Sequence, residues 1–212
     1  SLFLAPSAAV LDRFRAVVPA GTLRLWPYGV DTTPARSRPA RHAGLPLRVG
    51  FIGTLMVSKA PHLLLEAAAR LPEGSVTVDL VGRMAPYHGD DRYAARLAPL
   101  LSQPFVRQRG PLPHDDVAAV LSELDVLVVP SIWPENSPFV VHEAHAAGVV
   151  PVVARIGGLP ELVRHDENGL LFEPGDAVDL ARALQRVLDE PGLLDRLRGG
   201  RPTPRALRDD AT

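Results

Sequence analysis

Cysteine is absent from the 212 residues, which removes disulfides, thiol nucleophiles and thiolate metal sites and leaves the redox compartment open. Lysine is almost as scarce, for of 23 Lys and Arg residues only Lys59 is a lysine. Neither charge sign dominates. The formal net charge is -1 and the basic residues are spread along the chain, so the footprint of a nucleic-acid binder is missing. Long hydrophobic runs are lacking as well: the apolar stretches are strand length, far short of the roughly 20 residues a membrane helix needs. No signal peptide is visible, and Ser1 runs straight into an apolar segment, so it is not taken as a natural start. What remains is ordinary for a soluble globular protein, with 46% hydrophobic and 22% charged residues. The length suffices for a full core, and one large domain plus a fragment is the expectation.

Strand-like and helix-like segments alternate from residue 47 onward. Residues 47–53 form a β-rich run ending in glycine, and 61–71 carry Leu64, Leu65, Ala68 and Leu71 at a helical period with Pro61 suited to the first turn. Strands follow at 76–82, 105–108, 125–129, 150–154 and 169–172, and helices at 92–101, 115–122, 139–147, 159–164 and 177–188. Asp176 is placed to cap the last of these, which lines up Leu180, Leu184, Val187 and Leu188 on one face. Strands apolar throughout, separated by amphipathic helices, predict an α/β fold, a doubly wound parallel sheet of about six strands covered on both faces.

The ends differ from this middle. Residues 1–31 hold an apolar start, a helix-like stretch at 8–17 and an extended run at 22–26, the look of a trailing βαβ piece of another domain. Residues 32–46, with Pro34, Pro39 and Pro46, read as a polar linker, and 191–212 as a C-terminal tail with Pro202 and Pro204. The domain proper is expected at 47–190.

Two glutamates, Glu135 and Glu143, stand eight positions apart around the start of the helix near Pro138, at the carboxyl end of a buried strand. Ligands of open α/β sheets bind there, and a helix N-terminus favours anions such as a diphosphate. By chance alone two such glutamates mean little; the surrounding series gives them weight. The run Val49-Gly50-Phe51-Ile52-Gly53 with Lys59, Leu80-Val81-Gly82, residues 125–131, Glu135 to Glu143-Ala144, Gly157-Gly158-Leu159-Pro160-Glu161 and Asn168-Gly169-Leu170-Leu171-Phe172 resembles the C-terminal donor-binding domain of retaining glycosyltransferases of family 4, enzymes of GT-B architecture with two Rossmann-like domains. Residues 1–31, ending in Pro27-Tyr28-Gly29-Val30-Asp31, resemble the segment that leaves the N-terminal domain.

That resemblance implies roles. Glu143 would accept the ribose hydroxyls, and Glu135 would contact the donor sugar. The backbone N–H groups of Asn136, Ser137 and Phe139 would face the diphosphate or sugar, with one donor lost at Pro138. Lys59 would neutralise the departing diphosphate. Family members carry an arginine just after the strand glycine; here Thr54 follows Gly53, and Arg83 is the residue placed to compensate. Gly82 and Arg109-Gly110 would border base and ribose. No cofactor and no metal is implied: the donor is a nucleoside diphosphate sugar, and the acceptor, a glycan, lipid or small molecule, would be met by the N-terminal domain. Cytoplasm is the expected location, including the inner membrane surface if the remaining half takes the protein there.

Structural readings stand beside these. Gly53, Gly82, Gly157 and Gly158 all suit turns with positive φ, the favoured reading for the last two. His142 and His145 lack the spacing of a zinc helix, and Asp90-Asp91 and Asp115-Asp116 read as loops or caps. Two further functions share the fold: a GT-B epimerase or phosphorylase, the latter disfavoured because the one lysine is already assigned, and a non-catalytic nucleotide-binding or assembly module, for which Thr54 and Pro138 argue.

Overall fold

Apolar strands that must bury both faces dictate the architecture. In the computed structural model, which describes residues 2–29, 44–86, 89–90 and 92–202, β3 (Leu47–Ile52), β4 (Val76–Val81), β5 (Val106–Gly110), β6 (Val126–Val129), β7 (Val150–Ala154) and β8 (Leu170–Phe172) form one parallel sheet. Its order is β5-β4-β3-β6-β7-β8. Four strands form its inner part, and every residue of β6, β7 and β8 is buried. The chain runs outward from β3 in one direction to β5 and from β6 in the other to β8. Right-handed crossovers therefore put the helices on both faces. α2 (Pro61–Ala68) packs against α3 (Arg92–Leu101) and α7 (Ala177–Asp189), while α4 (His114–Glu123) packs against α5 (Phe139–Ala146). The short α6 (Leu159–Leu162) leads from β7 toward β8.

Local signals act as expected. Pro61 opens α2 at its first turn, and the Asp176 carboxylate accepts the N–H groups of Val178 and Asp179 at 2.8 and 2.9 Å to cap α7. Leu180, Leu184 and Val187 turn the apolar face of α7 inward. Among the described residues no helix is long and apolar enough to cross a membrane.

Ahead of the sheet stands a separate βαβ unit: β1 (Phe3–Ala5), α1 (Ala8–Phe14) and β2 (Leu23–Leu25), the two strands parallel. The linker expected at 32–46 lies outside the described residues except for 44–46, as do Ser1, Asp31 and residues 203–212 of the tail.

The tail expectation needs correcting over 191–202. Residues Leu193–Gly199 form α8, which buries Leu193, Leu194 and Leu197 and packs on β7 and α7. Its Arg198 donates to the Gly148 carbonyl at 3.2 Å and reaches Asp125 at 3.4 Å. Asp125 is 1% exposed and also accepts the Arg48 backbone N–H and guanidinium at 3.0 to 3.1 Å. This arginine clamp closes the amino edge of the sheet, and the helix it anchors belongs to the domain.

Candidate functional site

The strand order reverses between β3 and β6, which makes the carboxyl rim between them the topological switch point where such sheets bind ligands. Two residues bridge it. Lys59, in the loop after β3, places Nζ 2.7 Å from Oε1 of Glu135, in the loop after β6. The same oxygen accepts the hydroxyl of the buried Ser131 at 2.6 Å, and the Ile132 N–H joins the loops by donating to the Ser58 carbonyl at 3.0 Å. Lys59 keeps 37% of its side chain exposed and Glu135 11%, so the ammonium stays open to an incoming anion while the carboxylate is held.

The backbone beside Lys59 is strained. Ala60 sits in the left-handed region at φ +49°, a conformation a Cβ disfavours, and Pro61 after it bars the ordinary helical alternative. Both Lys59 and Ala60 donate to the Met56 carbonyl at 3.1 Å, so a tight turn holds the ammonium in place. Strain of this kind collects at functional sites, where surrounding structure over-determines it.

Glu143 stands apart from that pair. It lies on α5 and faces the start of α4, where His114 Nδ1 is 3.8 Å from its Oε1. Burial pushes its carboxyl above the ordinary range, and His114 pulls weakly the other way. Such a carboxylate gains from hydroxyl donors that replace lost water. Thus Lys59 and Glu135 meet, while Glu143 occupies a neighbouring part of the same rim.

No side chain caps the start of α5, whose N-cap is Pro138. The loop before it is tied down by His142, whose Nε2 lies 3.0 Å from the Ser137 hydroxyl. Burial lowers the pKa of His142, so it is neutral at pH 7 and able to share that bond. Sequence reasoning weighed His142 only as a zinc ligand and missed this tie; the i, i+5 pairing of a histidine with a serine ahead of a helix was the available signal. Among the described residues, no group of three or more His, Asp or Glu side chains is arranged to hold a metal.

The rim glycines make close backbone approaches. Gly82 has φ +142°, and a Cβ on it would lie 1.8 Å from the Gly53 carbonyl oxygen. That approach brings the loops after β3 and β4 together: the Leu55 N–H donates to the Arg83 carbonyl at 2.9 Å, which sets Arg83, an exposed residue, alongside Thr54 and Leu55. The positive-φ reading holds for Gly157, at φ +59°, but not for Gly158, whose φ is -83°; what both need is room rather than a left-handed backbone. A Cβ on either would fall within 2.4 Å of the carbonyl oxygen of Glu135 or Asn136, so both glycines carry the loop that bears the carboxylate.

The role expected for Arg109 is not what its side chain does. Gly110 ends β5 at φ +68°, but the Arg109 guanidinium donates to Asp79 at 2.9 Å and to Glu123. Asp79 is 3% exposed within β4, so the ion pair ties strand to helix. Two carboxylates outcompete a distant ligand for that guanidinium. Asp115 and Asp116 sit in the first turn of α4, and Asp90 accepts the Arg92 N–H, as caps do; Asp91 lies outside the described residues.

Comparison with known proteins adds to this geometry. The profile of the family described as "Glycosyl transferases group 1" matches residues 46–190. The chain is 33% identical over 187 residues to a D-inositol 3-phosphate glycosyltransferase of Corynebacterium glutamicum, covering 84% of this chain and 44% of that protein. It is 35% identical to a 2-deoxystreptamine glucosyltransferase of Streptomyces kanamyceticus, covering 82% and 48%. The chain thus spans less than half the length of these relatives. Among solved structures, Anabaena HepE in complex with UDP-glucose superposes with a TM-score of 0.83 at 25% identity, over 94% of this chain and 57% of that one. The C-terminal domain of a group 1 glycosyl transferase from Francisella tularensis superposes with a TM-score of 0.65 at 22% identity, over 81% and 94%, a likeness of fold.

Proposed function

This chain belongs to the glycosyl transferases group 1 family, and from that premise we propose that it is the donor-binding part of a retaining glycosyltransferase that moves a hexose from a nucleoside diphosphate sugar to an acceptor hydroxyl. The observation that carries the reading is the Lys59–Glu135 pair across the switch point, beside the uncapped start of α5. In the transfer, the bond from the anomeric carbon to the diphosphate breaks as the bond to the acceptor oxygen forms, and the acceptor proton leaves with the departing group. Negative charge grows on the diphosphate. The Lys59 ammonium and the N–H groups opening α5 are fixed positive ends aimed at that charge. Arg83, alongside Thr54, supplies the second cation that residue 54 does not.

Glu135 contacts the transferred sugar, held for that task by Ser131. Glu143, poorly paired and half-desolvated, takes the ribose hydroxyls. Gly53, Gly82 and the main chain at Gly110 border the nucleoside, and Asn136, Ser137 and Phe139 border the phosphates. The acceptor is left to the N-terminal domain, of which residues 2–29 are the trailing βαβ unit.

The HepE complex makes UDP the first ligand to test. Calorimetry with UDP, GDP and ADP is expected to find one nucleotide bound with a submillimolar Kd, lost in Glu143→Ala, with Lys59→Ala weakening the diphosphate far more than the nucleoside. Absence of binding to all three would leave the non-catalytic module as the better account.

A further inference from the structure

A carboxylate of the sheet domain holds the N-terminal unit. Glu161, on α6, accepts the Ala8 N–H at Oε2, 2.7 Å away, and the Ala9 N–H at Oε1, 2.8 Å away, across more than 150 residues of chain. Both oxygens are engaged, so the contact fixes an orientation as well as a distance. From there a continuous path leads into the site. The Glu161 N–H donates to the Gly158 carbonyl at 3.1 Å, and the Gly158 N–H donates to the Glu135 carbonyl at 2.7 Å. The Glu135 carboxylate in turn holds Lys59 and Ser131.

Gly158 is also gripped from both sides. A Cβ built on it would lie 1.8 Å from the Asn136 carbonyl oxygen and 3.0 Å from Cβ of Ser7, itself 3% exposed. The glycine is therefore the shim between the N-terminal unit and the loop of Glu135. At the far end of that loop a second grip appears: the Tyr28 ring stacks on Phe139, the first residue of α5, at 5.0 Å between centroids. The loop bearing Glu135 is thus bracketed by Ser7 to Ala9 at one end and by Tyr28 at the other.

We infer that Glu161 is a positioning residue that couples the docking of the N-terminal βαβ unit to the placement of the Glu135 loop. A shift of that unit pulls on α6, and α6 cannot move without its backbone bond to Glu135 and its contact with Asn136, because the glycine leaves no slack. The inference rests on the donor-site reading for its consequence, a change in nucleotide affinity, but the coupling itself is measurable without nucleotide.

Hydrogen exchange of the full chain tests it, with peptides covering 7–12, 131–139 and, as a control, 147–154. Glu161→Ala is expected to speed exchange about tenfold in both 7–12 and 131–139, with the control unchanged, and Glu161→Gln, which keeps one acceptor oxygen, to do so less. UDP affinity should fall about threefold in Glu161→Ala. Exchange that rises only in 7–12 would reduce Glu161 to a local tie and overturn the coupling. Should Glu161→Ala loosen the control peptide as well, Glu161→Gln decides by the same two peptides. Failure of the wild-type chain to bind any nucleotide would count against the donor-site reading and leave the exchange result to judge Glu161.

Discussion

Replacing Glu135 by glutamine is expected to tighten the binding of UDP. The ammonium assigned to the diphosphate already has a carboxylate partner 2.7 Å away, so nucleotide and Glu135 compete for one cation. A pair with its lysine 37% exposed and its glutamate 11% exposed is worth about 0.5–1 kcal/mol, nearer the upper end for the buried partner. Repulsion between the glutamate and a diphosphate sharing that cation adds about 1 kcal/mol at a dielectric near that of a wet surface. Together these come to about 2 kcal/mol, or roughly thirtyfold in Kd. Glutamine keeps the hydrogen bond to Ser131 and the shape of the loop, so the change isolates charge. Calorimetry on the wild type, Glu135→Gln, Lys59→Met and the double variant closes a cycle: UDP should bind more tightly to Glu135→Gln, more weakly to Lys59→Met, and the double variant should exceed Lys59→Met only by the relieved repulsion, about fivefold. Uridine, without phosphates, should not distinguish them. If Glu135→Gln binds UDP no better than the wild type while Lys59→Met still binds it poorly, the two do not compete and the reasoning fails.

Two further outcomes concern the scaffold. His145 is 3% exposed, and burial pushes its pKa from 6.5 down to about 4, despite the Leu162 carbonyl near its Nε2, with His142 and Arg201 disfavouring the charge further. A histidine depressed in the folded state gives stability that is full above pH 6.5 and lost as pH falls toward 4, about 3 kcal/mol in all; denaturant titrations should show that slope and lose most of it in His145→Gln, and an unchanged slope in that variant would contradict the assignment. Gly82→Ala puts a methyl against the Gly53 carbonyl at a positive φ and should cost at least about 2 kcal/mol, seen as a fall in Tm of roughly 4–8 °C, whereas an unaltered Tm would mean the strand ends do not approach as described.

What could be read from the chain, and what could not, divides by the reach of the interaction. The alternation of elements, Pro61 at a helix start and the Asp176 cap depend on neighbours a few residues away, and each is visible in a short window. The short helix α8 was hidden because Pro191, Gly192, Gly199 and Gly200 around it read as chain breakers; what makes it a helix is the burial of Leu193, Leu194 and Leu197 on a distant strand. Arg109 looked like a ligand contact from its place after a strand, and only the fold reveals that Asp79 and Glu123 claim it. The Glu135–Lys59 pairing was legible as a motif but not as a bond, since the residues that meet are 76 positions apart. The link from Glu161 to Ala8 and Ala9 has no local signature at all.

The two edges of the sheet treat their buried charge in opposite ways, and the contrast argues for where function lies. At the amino edge Asp125 is sealed from water and answered by two arginines and a backbone N–H, every acceptor used. Removing both arginines there would strand a buried charge at a cost of about 3–5 kcal/mol, so that edge is built for stability. At the carboxyl edge Glu143 is desolvated enough to raise its pKa, yet its ion-pair neighbour is an exposed histidine 3.8 Å away. Raised above its ordinary value by burial, its carboxyl favours the fold in acid, and that contribution is lost as pH rises through its folded pKa. In the loop after β3, Ala60 holds a left-handed backbone that a glycine would adopt freely. Neither feature helps the chain to fold. Both become useful if a ligand brings hydroxyls to the carboxylate and an anion to the lysine that the strained turn presents.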